Sequence, residues 1–311
     1  MRSSTQGYAT VIRHKRRRAE AIHTSEAGLL PRRTRHQRLT RLLVRNKGLP
    51  IGGTLLMVVM GIVLLAPWLS HLDPMALNPR GRLAPLGQGH LCGTDNLGRD
   101  VFSRTLWGAR LSLQIGLLTA TLTVVSGTCV GLLASYFRRL DTPLMRVMNG
   151  MMAFPGIVLA IALMSALGPS TCNVITALTM VYTPRLARVL RSLTLSLREL
   201  QCVEAAHAQG MSHQRVLVRH ILPGCLSPLI VQGTFLFAEA VLGEVSLSFL
   251  GAGTPPYSPS WGHMLGEARA YLREAPWTML FPGLSLTVTV LALNLVGDGI
   301  RDVLDPRLRK G

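Results

Sequence analysis

Glu204-Ala205-Ala206-His207-Ala208-Gln209-Gly210, followed nine residues later by His220-Ile221-Leu222-Pro223, lies between two apolar segments that are each long enough to cross a membrane. The spacing from 197 to 218 has helical periodicity with polar residues throughout, and Gly210 interrupts it near the middle. Two short helices joined by a tight turn are therefore expected over about 198–223. Ala205, Ala206 and Ala208 keep one face of the first helix thin, so that another protein's surface can approach its backbone. Glu204 adds a charge that fixes orientation. Read from its residues alone, the segment is either such a contact surface or an Ala-rich amphipathic hairpin lying on the membrane.

The flanking composition agrees with a membrane setting. Of 311 residues, 48% are hydrophobic and only 15% charged, too apolar and too weakly charged for an ordinary soluble domain. Leu49 to Leu69 carries no charge and matches the roughly 20 residues that a helix needs to span hydrocarbon. Leu111 to Phe137 is a second uncharged run, with small residues every fourth position at Thr123, Gly127, Gly131 and Ser135, a stripe along which helices pack closely. Val147 to Pro184 is uncharged and about twice the length of one span, so it divides at Gly168-Pro169-Ser170 into a third and a fourth helix. Ser227 to Leu250 and Thr278 to Val296 supply a fifth and a sixth. The expectation is an all-α integral membrane protein with six spans.

The formal charge of +18 is a topology signal. With the N-terminus in the cytoplasm, 26 of the 33 Lys and Arg fall on the cytoplasmic side, 13 of them in the tail before residue 49. That bias places both termini and the hairpin inside. Residues 1–48 read as a basic cytoplasmic tail without a folded core, 49–110 as the first span with an extracytoplasmic segment, 111–300 as the remaining five helices, and 301–311 as a cytoplasmic tail. The tail either anchors topology or attracts anionic headgroups. Nucleic acid is not needed to explain the charge. Cys92, Cys129, Cys172, Cys202 and Cys225 show no CxxC or metal spacing, and a Cys92–Cys172 disulfide would need both on the oxidising side. The nine histidines form no HxxxH pair on an expected helix, so no metal site is assigned.

Glu239 and Glu244 lie in or at the end of the fifth span, where an ionisable group has to face protein or water. Glu239 reads as a carboxylate lining a translocation cavity or as one half of an interhelical ion pair. Five residues apart, the two stand about 140° apart around a helix, so one cavity does not readily use both. Between the first two spans, Gly93-Thr94-Asp95-Asn96-Leu97-Gly98-Arg99-Asp100-Val101-Phe102-Ser103-Arg104 reads as an amphipathic helix on the outer surface, with local Asp95–Arg99 and Asp100–Arg104 pairs.

The hairpin resembles the EAA loop of ABC importer permeases: Glu204, Ala205, Ala206, Gly210, His220, Leu222 and Pro223 match its fixed positions. The GTD, GRD and SR elements from Gly93 to Arg104, Gly108-Ala109-Arg110, Ser246 to Gly251, and Asn294 to Arg307 resemble the C-type permease of the dipeptide, oligopeptide and nickel importers. Glu244 matches that family's acidic position; Glu239 stands where a small residue is expected. The resemblance implies a type I ABC importer permease fold in which the hairpin carries the coupling helices. It also implies a bacterial inner-membrane location, a homologous second permease, two ATPases that bind ATP and Mg, and an extracytoplasmic binding protein. Peptide is the implied substrate, with nickel or glutathione-like peptides as alternatives. No G-x-x-x-x-G-K-[ST] occurs, so this chain has no P-loop and is not expected to be an enzyme. Two other classes stay open. A stand-alone secondary transporter would show convergent intramembrane charges, and a tethered nucleic-acid binder would lose function with residues 2–40.

Overall fold

The computed structural model describes residues 48–70, 72–87 and 89–304. The basic N-terminal tail up to residue 47 and the residues from 305 onward lie outside the described residues, as does the side chain of His207. Nine α-helices of four residues or more carry the described chain: α1 (Gly48–Leu69), α2 (Val101–Tyr136), α3 (Arg138–Met152), α4 (Gly156–Leu167), α5 (Thr171–Arg198), α6 (Gln201–Ala208), α7 (His213–Phe249), α8 (Trp261–Ala268) and α9 (Trp277–Leu304). Among the described residues the only bridge between extended segments joins Thr94 and Asp100.

In α2 the small-residue stripe performs as expected. Thr123, Gly127, Gly131 and Ser135 are all buried, and a Cβ added at Gly127 or Gly131 would press on Leu186 or Leu190 of α5. At that contact the two helices approach almost backbone to backbone. Helix α7 packs on α2 and α9, and α1 lies along α9 with most of its surface exposed. An apolar helix in that position meets lipid on its open side.

Four helices, α1, α2, α7 and α9, are long and apolar enough to cross a membrane, and α3 with α4 makes a fifth if that bent pair is one span. The difference from six has two causes. Helix α5 has 28 residues, enough to span, but its second half carries Arg185, Arg188, Arg191 and Arg198. The expected third span is broken a second time, at Ala153-Phe154-Pro155, where the chain turns by 95°. A residue before proline is pushed out of the helical region, which ends α3 there. The 12 residues of α4 reach only about 18 Å, short of the roughly 30 Å of hydrocarbon. Helix α3, bearing Arg138, Arg139, Asp141 and Arg146, crosses the end of the bundle. It is tied to α5 by Arg191, whose Nε and Nη2 both donate to Asp141 at 2.6 Å.

The segment expected as a surface helix folds differently. Residues 72–87 and 89–100 form turns that make a cap over one end of the bundle, and α2 starts at Val101 and runs on into the second span as one 36-residue helix. Asp100 is its N-cap, accepting from the Ser103 amide at 2.8 Å, so it is not the partner of Arg104. Gly98 has φ 74°, and an added Cβ would collide with the Asn78 carbonyl, which closes the turn onto the preceding loop.

Candidate functional site

At the end of the bundle opposite the cap, α6 and the start of α7 form the expected hairpin. Gly210 has φ 74° and nothing within 4 Å of an added Cβ, so the turn needs glycine for its backbone angle and not for space. Val203 and Ala206 turn inward into a cluster with Leu190, Val216 and Ile221. Glu204, Ala205 and Ala208 are exposed. The outward face is thus narrower than the three alanines suggest, because Ala206 belongs to the subunit's own core.

Farther along, Leu217–Ile221 is a single π-turn, in which the Leu222 amide reaches back five residues to the Leu217 carbonyl. Pro223 follows directly, and the widened turn gives its ring room against the carbonyl four residues before. Pro223 is exposed, Leu222 half-buried, and His220 half-buried with Nε2 enclosed and unpaired. Beside the hairpin, Glu204 shares a cleft of about 390 Å³ with Arg138, Asp141, Arg198 and Glu199.

The two intramembrane glutamates have separate surroundings. Glu244 is fully buried: Ser112 Oγ donates to it at 2.7 Å from α2, and Ser248 Oγ at 2.8 Å from one turn on. Enclosed in this way, it clasps α2 to α7. Glu239 faces α5 instead. Its Oε1 accepts from Arg185 Nη1 at 2.8 Å, and Tyr182 Oη donates to its carbonyl at 3.1 Å. It also lines two cavities, of about 350 and about 300 Å³, beside the interhelical ion pair with Arg185. Arg185 entered the sequence reading only as a topology charge. The signal for its role was the three-residue spacing of Arg185, Arg188 and Arg191, which puts cations on one face of a helix.

The cap is held by four charges. Arg99 Nε donates to Asp95 Oδ2 at 2.6 Å as expected, while Arg99 Nη2 and Arg104 Nη1 reach Glu267 of α8 at 2.7 and 2.9 Å, and Arg104 also pairs with Asp95. Trp261 Nε1 donates to the Thr105 carbonyl and Trp277 Nε1 to the Thr94 carbonyl, so the segment leading into α2 and the segment between α7 and α9 meet there. Burial holds the pKa of His263, on α8, below its usual value. Cys92 is buried, and burial together with nearby Asp100 pushes its thiol up to about 11. Both Cys92 and the exposed Cys172 are free thiols, so no disulfide joins them.

Residues 127–310 match the family model described as the binding-protein-dependent transport system inner membrane component. A putative peptide transport system permease of Brucella abortus is 51% identical over 86% of this chain and 91% of its own. The dipeptide transport system permease of Alkalihalophilus pseudofirmus is 42% identical, over 86% and 88%. The glutathione transport system permease of Pectobacterium atrosepticum is 40% identical, over 81% and 85%. Among solved structures, an inward-facing form of the MetNI methionine ABC transporter superposes with TM-score 0.53 at 20% identity, over 64% of this chain and 94% of that one. That likeness gives the fold, a type I ABC importer permease. The match over residues 127–310 and relatives 51% identical over most of both chains show that this chain belongs to the inner-membrane components of binding-protein-dependent ABC transport systems.

Proposed function

We propose that the chain is the permease subunit of an ATP-driven importer of di- and oligopeptides, forming half of the translocation pathway beside a homologous second permease. Two ATPase subunits, which hold ATP and Mg, seat on the hairpin at Glu204, Ala205 and Ala208. The cap faces the extracytoplasmic binding protein, and both termini are cytoplasmic. The observation that carries the reading is the extent of the likeness to permeases named for peptide transport, 51 to 42% identity over nearly the whole of both chains. A glutathione permease among the relatives keeps glutathione-like peptides within the substrate class. Ala-rich helix surface without bulk gives a rigid seat, and the π-turn carries the hairpin's second arm without a break into the rest of α7, the helix bearing Glu239. Purification in mild detergent is expected to bring down a second permease and one or two kinds of ATPase. Peptide uptake in the reconstituted assembly should cease when ATP is withheld. A transport-competent homomer without any ATPase would refute the proposal.

A further inference from the structure

Two cavities meet at Arg185 and Glu239, and these two residues line both. The one nearer the cap has apolar walls, among them Ile157, Ala160, Leu178 and Leu242. The one nearer the hairpin is polar, with Gln232 and Asn294 supplying amides and Arg301 a second cation. Its charges are therefore two cations and one carboxylate, a surplus of one positive charge. Glu239 stands ten residues from Phe249 at the end of α7, about 15 Å by helical rise and well inside the stretch that is long and apolar enough to cross a membrane. Ionisable groups at that depth are costly unless they serve a pathway.

The pair itself is loosely committed. The side chains are 64% and 39% exposed, so neither charge is enclosed by its partner. Arg185 offers five donors, of which one, Nη1, is spent on Glu239 among the described residues. Its remaining edge can take a carboxylate in the two-pronged geometry that guanidinium favours. We infer that Arg185 is a subsite for the carboxylate of a passing peptide and that Glu239 is the counter-ion that occupies it between substrates. Gln232 and Asn294 suit the peptide's amide groups, and the apolar walls of the other cavity suit its side chains. This rests on the reading of the chain as a peptide permease.

The test uses the full assembly with its second permease, ATPases and binding protein. Arg185→Gln should lower peptide uptake at least tenfold at unchanged abundance and ATPase co-purification, whereas Arg185→Lys should keep part of it. The double variant Arg185→Gln/Glu239→Gln has no unpaired charge, so a purely structural pair predicts recovery, while a carboxylate subsite predicts that uptake stays low. Uptake at the wild-type rate in the double variant overturns the inference. A second measurement keeps the pair intact. Gln232→Cys, with exposed Cys129, Cys172 and Cys202 changed to serine, is treated with an anionic sulfonate and a cationic trimethylammonium thiol reagent, each scaled to its rate with a free thiol. The anionic reagent should react several-fold faster; equal rates or the reverse order overturn the subsite. If the wild-type assembly imports no peptide, the proposed function fails, while the reagent ratio still decides whether the cavity attracts anions.

Discussion

A β-branched residue at position 210 has room for its side chain but not for its backbone angle. Gly210→Val is expected to cost about 1–2 kcal/mol in the turn, the price of a left-handed conformation. Gly210→Asn should be tolerated, because asparagine enters that region readily. ATPase co-purification and uptake at matched abundance separate the two variants. The alanines divide in the same way. Ala205→Asp adds charge to an exposed face and should uncouple uptake with the protein still present in the membrane. Ala206→Asp puts a carboxylate among Val203, Val216 and Ile221 and should lower abundance first. Gly210 was legible in the sequence, since only glycine stood between two helical periods. The inward turn of Ala206 was not, because Ala205 and Ala206 are equivalent until the long-range partners are known. For Glu239 and Glu244 the angle between them was legible, but which of them had a seryl clasp depended on residues 132 positions away.

Elements held by charge respond differently from elements held by small residues. In the cap, Asp95 is buried beside two buried arginines, so Asp95→Asn should cost about 3 kcal/mol by leaving both cations to Glu267 alone. Glu267 is 29% exposed and Glu267→Gln should cost less, because water replaces part of the lost partner. The midpoint of thermal unfolding in detergent, compared between the two, is the measurement. The sequence showed Asp95 and Arg99 four residues apart and hence their pair. It also offered Asp100 and Arg104 at the same spacing, and that pairing does not form, because helix capping claims Asp100 and a residue 163 positions on claims Arg104. Likewise Gly168-Pro169-Ser170 announced a break between helices. Phe154-Pro155-Gly156 lay inside an unbroken apolar run, where hydropathy masked a stop signal that proline chemistry alone would have given.

Across the whole molecule, the cap and the hairpin occupy opposite ends, and the free cysteines report which end faces which compartment. A membrane-impermeant maleimide should label Cys172 from outside intact cells and Cys202 only after the membrane is opened, and it should leave Cys92 unlabelled from either side. Cys92 is excluded by burial and by a thiol whose pKa of about 11 leaves little thiolate near neutral pH. Labelling of Cys202 in intact cells would invert the orientation. Helix α2 bears on what such a molecule does mechanically. Its 36 residues make a rod of about 54 Å, much longer than the roughly 30 Å of hydrocarbon, and both of its tips are fastened. Tyr136 Oη lies 2.6 Å from His213 Nδ1 at the root of the hairpin, and Arg104 reaches Glu267 in the cap. The rod's close contact with α5, at Gly127 and Gly131, lies in the third of its length nearer the hairpin, so the two arms on either side of that contact are unequal. About that contact, a tilt of about 10° would move the hairpin tip by about 2 Å and the cap tip by about 7 Å in the opposite sense, so a small push at the hairpin would arrive on the far side enlarged and reversed.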